Sequence, residues 1–138
     1  MTAKTRDAFR LFPERRPAEL ALYALFLVAW LASTTGLRDA LHAAGVPLLV
    51  AGSLPSFLAA LASTFLIGGT QGTSAPVSGT LSGVVIATAE LPPLLGLTSG
   101  VADPRDVLAA ALGGAVGAVL LGALRAASRA LDREPARS

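Results

Sequence analysis

The chain lacks cysteine entirely, and with it disulfides, thiolate metal sites and thiol catalysis. It is short of charge: 14% of the 138 residues are charged, against about 25% in soluble domains. Aromatic residues make up only 5%, and there is a single histidine, His42. Between Ala40 and Ala102 the ionisable side chains are His42 and Glu90 alone. A soluble bundle needs polar residues over its outer faces, and this middle stretch cannot supply them. The net charge of +2 is too small to argue for a nucleic-acid partner.

What the chain has is small and aliphatic, mostly Ala, Leu, Gly and Val, at 53% hydrophobic residues. Its charges collect at the ends. Lys4, Arg6, Arg10, Arg15 and Arg16 lie in residues 1–19, and Arg125, Arg129, Arg133 and Arg137 lie in residues 125–138. Arg38 and Arg105 are the only cations between. This is the distribution of a polytopic membrane protein: one domain over residues 1–138, with residues 1–19 and 125–138 as solvated tails. Because Lys and Arg concentrate in both tails, both termini are expected in the cytoplasm, which requires an even number of spans. The lipid bilayer is the first partner implied.

Four apolar segments fit that count. Leu20–Leu37 has 18 residues, and at about 1.5 Å per residue it just crosses a hydrocarbon core about 30 Å thick. Basic residues precede it, as in a signal peptide, but 19 partly acidic residues make a long leader, so the run reads as a retained span. In residues 45–69, Ser53 is a candidate N-cap and Pro55 suits a first turn, which starts a helix there and leaves 46–53 as a kinked or re-entrant piece. The uncharged "GGTQGTSAPVSGT" (68–80) reads as a turn, with a third helix from Val77 or Thr80 to just before Pro92–Pro93. The last helix opens with Asp103 as N-cap, Pro104 at its first position and Asp106 at its third, and runs to Leu124. Beyond it Arg125, Arg129 and Arg133 share one side, from which they can reach lipid phosphates. The fold class is therefore all-α, a membrane bundle of about four transmembrane helices.

Few residues carry chemistry. Glu90 is costly at a bilayer centre, on the order of 3 kcal/mol, so it belongs at the interface or against a polar partner. Thr80, Gly83, Val84, Ala87 and Glu90 recur at spacings of three and four, which makes them the expected interior stripe of their helix. At its end Glu90 comes within reach of Asp103 and Asp106. Three acids there call for a cation, Arg105 or Arg38, or for a protonated Glu90. His42, with no cysteine or acidic cluster nearby, reads as a residue of the outer loop, so no metal site and no cofactor are implied. Ala109, Gly113 and Gly117 form one small-residue line and Gly114, Ala118 and Gly122 a second; each line fits packing within the chain or a homodimer seam. No nucleophile elbow or phosphate-binding loop is present, so an enzyme is unsupported.

"GSLPSFL" at 52–58, Glu90 and "GVADPRDVLAAALGGAVGAVL" at 100–120 together resemble the VanZ-like family of small bacterial membrane proteins. That family carries a Glu late in a transmembrane helix, then a Gly-[TS]-x-Asp-Pro-x-Asp stretch opening the final helix, followed by Gly-x-x-x-Gly. Glu90, Gly100, Asp103, Pro104, Asp106, Leu108, Ala109, Gly113 and Gly117 match it, as do Leu54, Pro55, Ser56 and Phe57 for a Leu-Pro-[SN]-Phe element. Places that often hold Gln and Asn in the family hold Leu91–Pro93 and Ala110–Ala111 here, and "RDALH" (38–42) departs from its Asp-Lys-x-x-His. The resemblance implies a multi-pass protein of the bacterial cytoplasmic membrane, whose founding family member is linked to low-level teicoplanin resistance. The expected role is a non-catalytic cell-envelope accessory or a small subunit of a membrane assembly, with other membrane proteins or a second copy as partners. The alternative is a membrane-embedded enzyme or carrier for a lipid-linked or amphiphilic substrate, with Glu90, Asp103 and Asp106 at an outward-facing site.

Overall fold

The structure, a computed structural model, describes residues 16–97 and 103–133. Among these the regular elements are all helical: α1 Pro17–Ala32, α2 Arg38–Ala43, α3 Leu48–Gln71, α4 Ala75–Ala89, α5 Leu91–Leu94 and α6 Pro104–Arg133. Three stretches are long and apolar enough to cross a membrane: Pro17–Ala43, Val50–Gln71 and Pro104–Asp132. Helix α4 is apolar but shorter, at 15 residues. At about 1.5 Å per residue it rises only about 22 Å. The chain is thus an all-α bundle of membrane type, with α3, α4 and α6 packed on one another and α1 laid against α3. Of the residues named above, Lys4, Arg6, Arg10, Arg15, Gly100 and Arg137 lie outside the described residues.

Helix α1 begins at Pro17, where a proline loses no hydrogen bond, and it ends well short of Leu37. Ser33, Thr34 and Thr35 turn their hydroxyls back onto the carbonyls of Trp30 and Leu31, at 2.7–2.8 Å. Such back-bonding bends helices. The chain leaves helical geometry at Thr35 and Gly36, and Gly36 takes φ 131°, which a side chain disfavours. Arg38 and Asp39 accordingly open α2 instead of closing the first helix.

Helix α3 corrects a second boundary. It starts at Leu48 behind Pro47, so residues 48–53 are helical and Pro55 lies in its interior. Ser53 is therefore no N-cap, and its hydroxyl is left for another partner. The helix stops at Gly72, in the left-handed conformation (φ 63°, ψ 19°) that suits glycine at a helix end. The expected 13-residue turn shrinks to 72–74, because Ser74 already stands at the N-cap position of α4 with Pro76 in its first turn.

Small residues set the helix spacing. A Cβ at Gly113 would meet the Phe57 backbone, and one at Gly117 would meet the Thr64 side chain, so this line of α6 lies on α3. Gly114 meets Gly79 and Gly83 backbone to backbone, and Gly79 also abuts Ala118, so the second line lies on α4. Both lines are used within one chain. The buried face of α4 is Ala75, Ser78, Gly79, Ser82 and Gly83. Of the expected stripe Gly83 is inside, whereas Thr80 and Val84 point outward. Packing selected the residues small enough for backbone contact with α6, not those aligned with Glu90. Leu61, Phe65, Ala75 and Leu121 form the larger core, against which Phe26 of α1 packs with its ring 5.5 Å from that of Phe65.

Candidate functional site

Polar groups gather at the two ends of the bundle. At the first end, the start of α4's exit turn brings Glu90 to α3. Its carboxylate accepts a hydrogen bond of 3.0 Å from Ser56, which is buried. One helical turn before, Ser53 lies close enough to Asp106 of α6 to influence its carboxylate, and Asp106 also feels the charges of Glu90, Asp103 and Arg38. Serines three residues apart on one face of α3 thus each face a carboxylate from a different neighbour, and Ser56 holds its own by a hydrogen bond. Asp103 stands at the start of α6, where its side chain accepts from the Arg105 amide at 2.9 Å and its carbonyl accepts from the Asp106 amide at 3.0 Å.

Among the cations considered, Arg38 is the one whose charge reaches Asp106. Arg105 is exposed on α6. His42 is exposed too, with Nδ1 3.3 Å from the Val46 carbonyl, so it serves its own turn. No group of three or more metal-ligating side chains occurs among the described residues.

The opposite end holds a pair that charge counting assigned to solvent. Glu19 is 3% exposed and Arg125 13%. Arg125 grips Glu19 with two hydrogen bonds, Nε to Oε1 at 2.7 Å and Nη2 to Oε2 at 3.0 Å. Its remaining donors go to backbone carbonyls, Nη2 to Gly68 at 3.1 Å and Nη1 to Thr73. One guanidinium therefore binds α1, the last turn of α3 and the α3–α4 turn to α6. Arg16 adds a contact to Glu19 Oε1 at 3.5 Å. The approach depends on Gly68, where a Cβ would press on Leu121 and Arg125, and on Gly69, where it would press on Leu20. So residues 16–19 and 125 are not tail, and Arg125 does not reach outward to lipid. Arg129 does lie exposed, with Nε on the Arg125 carbonyl at 3.2 Å.

One interior group is left over. The Ser82 hydroxyl is fully buried with no hydrogen-bond partner among the described residues.

Two pieces of this arrangement had a signal in the sequence. Glu19 and Arg125 immediately flank apolar runs, in helices whose outer ends fall on the same side of an even-pass bundle. Ser53 and Ser56 sit at i, i+3 and are the only polar side chains in residues 48–62. Together these sites define a class, a membrane-type helical bundle with a buried ion pair at one end and a serine-held carboxylate at the other. No protein-family model matches the chain, and no curated protein and no solved structure is significantly similar to it.

Proposed function

We propose that the chain is a VanZ-like integral membrane protein of the bacterial cytoplasmic membrane, with both termini in the cytoplasm, acting without catalysis as a cell-envelope accessory or a small subunit of a membrane assembly. The observation that carries this reading is a convergence. The three separated stretches on which the family resemblance rests, 52–58, Glu90 and the start of the last helix, meet at one end of the bundle, through the Ser56–Glu90 hydrogen bond and the nearness of Ser53 to Asp106. A partner role is supported by the way α3, α4 and α6 close backbone to backbone, which leaves their outer faces to meet lipid or other proteins. Helix α1 shows the same need: Leu25, Val28 and Leu31 are each about half exposed or more.

Co-purification from native membranes in mild detergent tests the reading. A tagged chain should bring down a defined membrane partner or a second copy, and a chain that elutes alone at monomer size argues against it. A reporter fused at Ser138 should report the cytoplasm, with a fusion at Asp103 as the outside control. The second reading, an enzyme or carrier for a lipid-linked or amphiphilic substrate, is favoured by the Ser56–Glu90 pair with Asp106 and Ser53 beside it. Under it, Glu90→Gln and Ser56→Ala would abolish any effect of the chain on teicoplanin susceptibility while its amount in the membrane stays unchanged. Under the accessory reading both variants behave as wild type.

A further inference from the structure

Contacts between α4 and α6 fix the depth at which α4 ends. Ala75 lies beside Gly122, Gly79 beside Gly114 and Ala118, and Gly83 beside Ala110 and Ala111, so the two helices run antiparallel in a steady register. Continued for two turns, that register sets Glu90 against the start of α6, where its charge reaches Asp106. From there inward, Val107–Leu124 is uncharged over 18 residues, about 27 Å of helix and close to the thickness of the hydrocarbon core. Glu90, Asp103, Arg105 and Asp106 therefore mark one edge of that core, and α5 begins at this edge.

The segment after Glu90 is unlike an aqueous loop. Residues 91–102 carry no ionisable side chain. Leu91, Leu95 and Leu97 are 42%, 69% and 72% exposed, and α5 packs mainly on α4, so no described element covers them. The backbone here turns back on itself instead of running outward. Gly96 takes φ 69°, and the amides of Leu95 and Leu97 donate to the carbonyls of Leu91 and Pro92, each at 2.9 Å. Pro92 and Pro93 have no amide hydrogen to satisfy. A turn with so few free donors can leave water at little cost to its backbone, and its leucines gain by doing so. We infer that residues 91–97 form an interfacial turn whose leucines enter the acyl chains of the leaflet at the Glu90 end. Lipid is the occupant this depth favours, because the same turn held clear of the bilayer would present three bare leucines to water. The inference rests on the helices lying in a bilayer and not on the accessory role, so either can fail without the other.

Spin labelling tests it, since the chain has no cysteine of its own. Leu95→Cys and Leu97→Cys are labelled in the full chain and placed in vesicles of phosphatidylethanolamine and phosphatidylglycerol. Each label is read for collision with oxygen, which partitions into lipid, and with a nickel chelate, which stays in water. Val119→Cys, 72% exposed within the apolar run of α6, is the lipid reference, and Arg105→Cys, exposed at its charged start, is the aqueous one. The ratio of oxygen to chelate collisions at Leu95→Cys and Leu97→Cys should lie severalfold above that at Arg105→Cys and approach that at Val119→Cys. A ratio like that at Arg105→Cys would put the leucines in water and overturn the inference. A label slowed and shielded from both reagents would overturn it in favour of a second copy seated on the turn. Where a labelled chain fails to insert, Leu95→Trp in a Trp30→Phe chain gives the same reading by fluorescence. A lipid brominated on the upper part of its acyl chain should quench that emission, and emission untouched by it would overturn the inference.

Discussion

At one end of the bundle Glu19 meets Arg125 inside the protein with Arg16 at its edge, while at the other Glu90, Asp103 and Asp106 gather near Ser53, Ser56 and the exposed Arg38. Glu19 and Arg125 are both nearly closed off from solvent and share two hydrogen bonds, and Arg125 carries two more to backbone carbonyls. Glu90 and Asp106 are each half-buried; Glu90 rests on the neutral Ser56 hydroxyl, and Asp106 has Ser53 near it. The first end joins elements that are far apart in sequence and is satisfied as it stands. The second keeps negative charge only partly compensated, and so retains the capacity to interact with something else. Loss of a partner should therefore be costly at the first end and mild at the second.

The largest effect is expected at the ion pair. Arg125→Leu leaves the Glu19 carboxylate buried without its cation and removes the donors to Gly68 and Thr73, a loss of about 3–5 kcal/mol. Denaturation in mixed micelles should show it as a large fall in the midpoint. The double change Glu19→Leu with Arg125→Leu should recover much of that loss, because an apolar pair of similar bulk needs no compensation. If the single variant unfolds like wild type, the pair is solvated and the contrast between the two ends disappears.

Next in size come the glycines that let the helices touch. Gly113→Leu and Gly114→Leu force a side chain into the backbones of α3 and α4, with an expected loss of about 2–3 kcal/mol each. This step is independent of charge, so it measures the middle of the bundle against which both ends are judged. Variants that melt as wild type would put these faces outside the core.

How much of this was legible in the sequence depends on which physical signal each feature leaves. The helical class and the apolar spans follow from composition, because no other structure satisfies its backbone in lipid so simply. The start of α6 follows from Asp103-Pro104, since a side-chain acceptor ahead of a proline has little other use. The buried pair was hidden because a charge count does not know which residues beside an apolar run turn inward. Pro55 misled in a similar way: a proline opens helices more often than it sits inside one, yet here Pro47 takes that place. The orientation of α4 was set by contact with α6, and a helix made almost wholly of small and β-branched residues carries little periodicity to reveal it.

A smaller effect separates the capping acid from the other acids at its end. Asp103→Ala removes the acceptor for the Arg105 amide and should lower stability by about 1 kcal/mol. Asp103→Asn should restore most of it, because an amide oxygen caps as well as a carboxylate. A loss in both variants would mean that the charge itself is what matters at this position.

The smallest effect is expected at Glu90, and it is the one that decides what the acid-rich end is for. Glu90→Gln keeps the shape of the side chain and an oxygen that can accept from Ser56, so folding should change by less than about 1 kcal/mol. It also removes one of the negative charges facing Asp106, which on its own would relieve repulsion. Glu90→Leu removes the acceptor and leaves the buried Ser56 hydroxyl to turn back onto its own helix, as Thr64 does to Ala60 in α3. A helix offers that escape to a serine, so even this variant should stay within about 1–2 kcal/mol of wild type. The midpoints of the two variants, measured beside that of Arg125→Leu, place the two ends on one scale. Should Glu90→Leu lose as much as Arg125→Leu, Glu90 would be holding a buried cation, and the second end would be a structural lock like the first.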